Sequence, residues 1–93
     1  MREFLANVDC LYLTFCLDVF PAALAPGVSA PAALGVNPQW VMETIAAIGD
    51  LCRECDVNWL MADVAELSPV HDSSNATARL AARLVDEMLF SKF

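Results

Sequence analysis

The chain alternates between short apolar runs and one stretch broken by proline and glycine. Leu11-Tyr12-Leu13-Thr14-Phe15-Cys16-Leu17 is nearly continuous in apolar and aromatic residues. Its length and lack of alternation predict a strand buried on both faces of a parallel sheet. Residues 19–37 carry Pro21, Pro26, Pro31, Gly27 and Gly35, which predict a long structured loop. Asn37 then stands as a helix cap before Pro38, which suits a first helical turn. Val41, Ile45, Ile48 and Cys52 follow at helical spacing. A second apolar run, Val57-Asn58-Trp59-Leu60-Met61-Ala62 with Val64, predicts another buried strand that Ser68-Pro69 closes. Asp72, Ser73 and Ser74 start a last helix, whose stripe is Ala78, Ala81 and Leu84 with Leu80 and Met88 beside it. The order is strand, loop, helix, strand, helix. Such a crossover implies parallel strands joined right-handedly. Two strands leave open sheet edges, which a stable α/β protein does not tolerate. The pattern therefore predicts the end of a larger doubly wound sheet.

Composition sharpens that picture. Ninety-three residues make one small domain or part of one. Hydrophobic residues are 58% and charged ones 18%, against roughly 45–50% and about 25% in ordinary globular chains. A small domain buries only about 60% of its unfolded surface. Either the chain pairs with something, or part of its core lies elsewhere. Five basic against twelve acidic residues, net −7, exclude nucleic acid and an anionic membrane surface as partners. Residues 19–42 are uncharged and long enough to span a bilayer, but their prolines and glycines break a helix repeatedly. Glu3 and Asp9 interrupt any leader-like apolar stretch. Without a leader, the four cysteines read as reduced thiols of a cytoplasmic protein.

Ligands of open parallel sheets sit beyond the carboxyl ends of the strands. Cys16 with Asp18, and Asp63 with Glu66, fall at such ends. Carboxylates suit hard cations such as Mn²⁺ or Mg²⁺, and a thiolate favours Zn²⁺ or Fe²⁺. Asp18 is equally a capping aspartate at a strand exit, and Cys16 a small buried hydrophobe. Glu66, an acid closing an apolar strand, needs a partner or a site. Cys52-Arg53-Glu54-Cys55 has redox spacing, yet it ends a helix, whereas a reactive thiol belongs at a helix start. His71 has no cysteine or serine partner identifiable by spacing, which makes it a loop histidine. Asn75-Ala76-Thr77 is a glycosylation sequon in form only, and Asp86-Glu87 reads as a solvated helix face.

Together these residues resemble the ureohydrolases, the family of arginase, agmatinase and formimidoylglutamase. Thr14-Phe15-Cys16-Leu17-Asp18, then Ala22, Pro26-Gly27 and Gly35, match a family signature at every spacing. Asp63-Val64-Ala65-Glu66-Leu67-Ser68-Pro69 is similar to the family's Asp-Ile-x-Glu-x-Asn-Pro strand end. Asp72 and Thr77-Ala78-Arg79-Leu80-Ala81-Ala82 resemble its terminal helix. Ala25-Pro26-Gly27-Val28-Ser29-Ala30-Pro31-Ala32 is most similar to the loop of formimidoylglutamases. The resemblance implies an α/β chain: the C-terminal β-loop-α-β-α portion of a three-layer α/β/α parallel-sheet, arginase-like fold. Residues 1–93 would form a single partial domain, the C-terminal third of a ureohydrolase. The implied enzyme binds two Mn²⁺ ions bridged by hydroxide. It hydrolyses a small-molecule amidine, formimidoylglutamate, to L-glutamate and formamide in histidine breakdown. By position Asp18 becomes a metal ligand, and Cys16 occupies the place of an aspartate that bridges both ions. Glu66 pairs with the cationic amidine nitrogens, and the loop from Phe20 to Val36 edges the pocket. The family's remaining ligands, a His and an Asp-x-His-x-Asp segment, are not in these residues, so the resemblance implies a chain inactive alone and a homo-oligomer at full length.

Three other readings remain beside this one. An agmatinase or arginase differs from it only in substrate. A non-catalytic interaction domain would dock its apolar face on a partner's sheet. A small zinc module would use Cys10, Cys16, Cys52 and Cys55.

Overall fold

The computed structural model describes residues 1–92. A one-turn helix, α1 (Arg2–Leu5), leads into strand β1 (Cys10–Cys16). The loop follows, then α2 (Pro38–Glu54), β2 (Asn58–Ala65) and α3 (Ala76–Lys92). Apart from α1, which its single turn hides from any periodicity argument, the order is the one the apolar pattern predicts. β1 and β2 pair in parallel, from Cys10 opposite Asn58 to Cys16 opposite Ala65.

The two-faced burial expected of the strands is not what the structure holds. In β1, Leu11, Leu13 and Phe15 are half-buried, while Cys10, Tyr12, Thr14 and Cys16 are exposed. Leu13 and Phe15 line a cleft against Val41, Ile45 and Ile48 of α2, and nothing among the described residues covers the opposite face. The unbroken apolar run thus reports a strand meant for cover on both faces, of which this stretch supplies one. In β2 the register slips between Leu11 and Tyr12, so Leu60 is an extra residue. Alternation breaks there, and Leu60 and Met61 are both exposed at 58% and 59%.

The helices form for local reasons that the sequence states. Asn37 Oδ1 accepts the Gln39 N–H at 2.8 Å, and Pro38 occupies the first turn of α2. Val41, Ile45 and Cys52 are buried along one stripe. Gly49 lies at the crossing with α3, where a Cβ would stand 2.4 Å from the Ser91 carbonyl oxygen. Arg53 closes the far end of this contact by donating to the same carbonyl at 2.7 Å. α3 starts with its N–H groups on a carboxylate: Thr77 N donates to Asp72 Oδ1 at 2.8 Å and Ala78 N to Oδ2 at 2.9 Å.

The proline- and glycine-rich loop is closed on itself. The Val36 N–H reaches the Val19 carbonyl at 2.8 Å, and the Ala22 N–H the Ala32 carbonyl at 2.8 Å. Gly35 sits at φ +81, with the Pro21 nitrogen 2.5 Å from where a Cβ would be. Only glycine meets both demands. Phe20, Ala25 and Val28 turn inward and are buried. Phe20 packs on Phe15, ring centroids 5.3 Å apart, so the loop is anchored to the sheet through its own side chains.

Candidate functional site

Parallel pairing decides where the candidate residues lie. Cys16 is the last residue of β1 and faces Ala65, the last residue of β2. Glu66 is the next residue along, so Cys16 and Glu66 share the carboxyl end of adjacent strands. Asp18 follows in a single tight turn, Leu17–Val19, anchored by the fully buried Leu17. Cys16 and Glu66 are exposed and Asp18 is half-exposed. Three of the four residues expected at the strand ends are therefore at one end of one sheet, the end where such folds keep their ligands.

Glu66 has a backbone φ of +78. For a non-glycine residue this left-handed conformation costs energy and concentrates at functional positions. It turns the chain sharply out of β2 and presents a carboxylate at the sheet's rim. Two residues on, the Ser68 N–H is fixed to the Gly27 carbonyl at 2.7 Å, which joins this turn to the loop.

As metal donors, Cys16 and Asp18 give one thiol and one carboxylate. Among the described residues no group of three or more His, Cys, Asp or Glu side chains comes together to hold a metal ion. A carboxylate suits hard Mn²⁺, and a thiolate is a soft ligand. The donors of this stretch do not by themselves fit a binuclear manganese centre. The four cysteines stay free thiols, with Cys52 buried and Cys10 and Cys16 exposed. Burial, and then the neighbouring Cys55, push the Cys52 thiol up, which keeps it protonated and inert.

Three arrangements were not foreseen from spacing. Asp63 lies inside β2, opposite Thr14. Its Oδ1 accepts the Thr14 hydroxyl at 2.6 Å and its Oδ2 accepts the Tyr12 hydroxyl. Thr14 and then Tyr12 hold its carboxyl below the ordinary carboxylate value. Asp63 is therefore a fixed anion on the open sheet face and not a strand-end residue. Alternation along β1 places Tyr12 and Thr14 on that face, but their partner follows only from the register. His71, read as unpartnered, has Ser68 Oγ 2.7 Å from its Nδ1. Both belong to the exposed turn after β2, and a serine three residues before a histidine across a proline was the available signal. Finally, Gly27 donates its N–H to the buried Thr77 hydroxyl at 2.7 Å. These residues are far apart in sequence, so no local pattern links them.

A cleft of about 310 Å³ lies between β2 and α3, lined by Leu60, Met61, Val85, Met88 and Leu89 with Asp63 and Lys92 at its border. It contains none of Cys16, Asp18 and Glu66. Its walls are apolar, and it marks a sheet edge left open.

Known proteins are similar to this chain in sequence and fold. The formimidoylglutamase of Hahella chejuensis is 54% identical over 84 residues, which cover 90% of this chain and 25% of that protein. The arginase of Bacillus subtilis superposes with a TM-score of 0.80 at 25% identity, covering 94% of this chain and 31% of that one. The oxidized formiminoglutamase of Trypanosoma cruzi, solved with Mn²⁺, matches in fold with a TM-score of 0.70 at 24% identity over 86% of this chain and 26% of its own. The chain spans about a quarter of the length of the curated relatives it matches. A family model described as the arginase family matches residues 1–91, so the chain belongs to the arginase family.

Proposed function

We propose that these residues form the carboxyl-terminal part of a formimidoylglutamase, which hydrolyses N-formimidoyl-L-glutamate to L-glutamate and formamide. The observation that carries this reading is Glu66, set beside Cys16 at the carboxyl end of a parallel pair in a chain 54% identical to a formimidoylglutamase. A formimidoyl group is a cation whose positive charge lies on nitrogen. Glu66 pairs with those nitrogens by charge-assisted hydrogen bonds, which strengthen as water adds to the carbon and the C–N bond to glutamate breaks. The loop from Phe20 to Val36 walls the pocket on the other side. Asp18 and Cys16 would be donors to a metal centre completed by other residues, whose manganese dependence rests on the family resemblance; a bound metal would supply an activated water there. The other donors come from residues outside this stretch, so the 93 residues alone are inactive. On the same resemblance, the whole enzyme is a cytoplasmic homo-oligomer.

The test is a chimera in which residues 1–93 replace the matching quarter of the Hahella chejuensis enzyme. Purified with manganese and offered formimidoylglutamate, agmatine and arginine, it should turn over the first in clear preference. Preference for agmatine or arginine would transfer the reading to those enzymes. A folded, metal-loaded chimera with no turnover of any of them would overturn it in favour of a non-catalytic interaction domain.

A further inference from the structure

The loop, the turn after β2 and the start of α3 converge on Gly27. Its N–H donates to Thr77 Oγ1 at 2.7 Å, and its carbonyl accepts the Ser68 N–H at 2.7 Å. A Cβ at position 27 would lie 2.6 Å from the Asp72 Cβ, so the loop backbone is pressed directly on the residue that caps α3. Thr77 is fully buried. The Asp72 carboxylate takes the Thr77 and Ala78 N–H groups, and the Thr77 hydroxyl bonds to it as well. The same hydroxyl accepts the Gly27 N–H, a tie to the loop that capping of α3 does not account for. Through Gly27 it is two hydrogen bonds from Ser68, and Ser68 lies two residues beyond the strained Glu66.

We infer that Thr77 is a positioning residue for the substrate pocket: by holding Gly27 against Ser68 and Asp72, its hydroxyl sets the distance between the loop wall and Glu66. This rests on the formimidoylglutamase reading above. The requirement is for an acceptor oxygen in a buried place. Serine supplies one. Valine has the same shape and leaves the Gly27 N–H buried without a partner, freeing the loop to shift. A shift of one wall relative to Glu66 weakens substrate binding before it touches the chemical step.

The experiment uses the chimera described above with Thr77→Val and Thr77→Ser. Thr77→Val should raise KM for formimidoylglutamate roughly fivefold to tenfold, the range for one lost buried hydrogen bond, and change kcat less than about twofold. Amide exchange at Gly27 and Ser68 should quicken in the same variant. Thr77→Ser should restore both readouts. Unchanged KM with both amides still protected would overturn the inference, as would a Thr77→Ser variant no better than Thr77→Val. Should Thr77→Val fail to fold, Thr77→Ala, which leaves room for water at the Gly27 amide, is held to the same KM-against-kcat split. If the unsubstituted chimera is folded but lacks formimidoylglutamase activity, the functional reading falls while exchange at Gly27 and Ser68 still decides the clamp: faster exchange in Thr77→Val than in Thr77→Ser upholds it, and equal exchange refutes it.

Discussion

Glu66 is held at a φ of +78, where a side chain costs about 1 kcal/mol relative to relaxed backbone. An exposed glutamate gains nothing from that placement by packing; under the proposed function the strain holds its carboxylate at the substrate. Two substitutions in the chimera separate the two effects. Glu66→Gln keeps shape and backbone, and kcat/KM for formimidoylglutamate should fall roughly 10- to 100-fold, the worth of one charge-assisted bond. Glu66→Gly should lower kcat/KM at least as far while raising the urea midpoint, because relief of strain outweighs the added freedom of the unfolded chain. A lower midpoint for Glu66→Gly would show that the conformation is not strained. Cys16 invites the opposite manipulation. Cys16→Asp replaces a soft donor by a hard one, and the manganese retained per chain at limiting metal should rise by roughly tenfold, read by elemental analysis. The acid limb of stability also has an address. Asp63, through Thr14 and then Tyr12, is held below its ordinary 3.8. At Asp72, burial pushes the carboxyl up, but the Thr77 and Ala78 N–H groups, the Thr77 hydroxyl and the charge of Arg79 outweigh it and leave the net shift downward. Groups depressed in the folded state contribute fully above their unfolded value and lose that contribution as pH falls through the folded one. Stability should therefore hold down to about pH 4 and decline below it, and Asp63→Asn should flatten that decline in urea titrations at stepped pH.

Elements were legible wherever one short segment carried its own signal. Asn37 and Pro38 announce α2, and the structure places the cap on Gln39 as the sequence directs. Asp72 announces α3, although the helix proper begins at Ala76 and the carboxylate reaches forward across a bent turn to Thr77 and Ala78. The strand ends were legible because a parallel pair fixes both, and Cys16, Asp18 and Glu66 fall together there. The contacts between segments were not. Gly27 with Thr77 and Asp63 with Thr14 depend on register and on a loop path that no periodicity encodes. Gly49 belongs to the same class. Inside a helix it looks like a defect worth about 1 kcal/mol against alanine. Yet the Ser91 backbone oxygen stands 2.4 Å from where its Cβ would be, and backbone cannot swing aside. Overpacking of that kind costs typically 1–3 kcal/mol. Gly49→Ala should thus lower the urea midpoint of the chimera with its m-value unchanged, the clash exceeding the propensity gain. A raised midpoint would mean that α2 and α3 separate at little cost.

At the scale of the whole chain, the apolar excess and the open sheet are one fact. Tyr12 and Met61 stand exposed on the uncovered face, and Leu60, Val85 and Leu89 border the cleft at the β2 edge. The largest apolar patch on a typical monomer is about 300–600 Å² and often functional, and an open strand edge adds unpaired backbone groups to it. Proteins of the arginase family that this chain matches are about four times its length, and we propose residues of that additional length as the cover for that face. Two outcomes follow for the 93 residues by themselves. The open face should drive concentration-dependent self-association, seen as a rise in weight-average mass by sedimentation as the concentration is increased. The incomplete donor set should leave formimidoylglutamate untouched at any manganese concentration, since no three candidate ligands converge among the described residues. Supplying the amino-terminal three-quarters of the Hahella chejuensis enzyme as a separate polypeptide tests both together. If the open face is the seat of that missing layer, the mixture should become a defined heteromeric species, the self-association should disappear and hydrolysis should appear with manganese. A chain that stays monomeric and ignores the added polypeptide has a different cover for its sheet, and the apolar face would then belong to another partner.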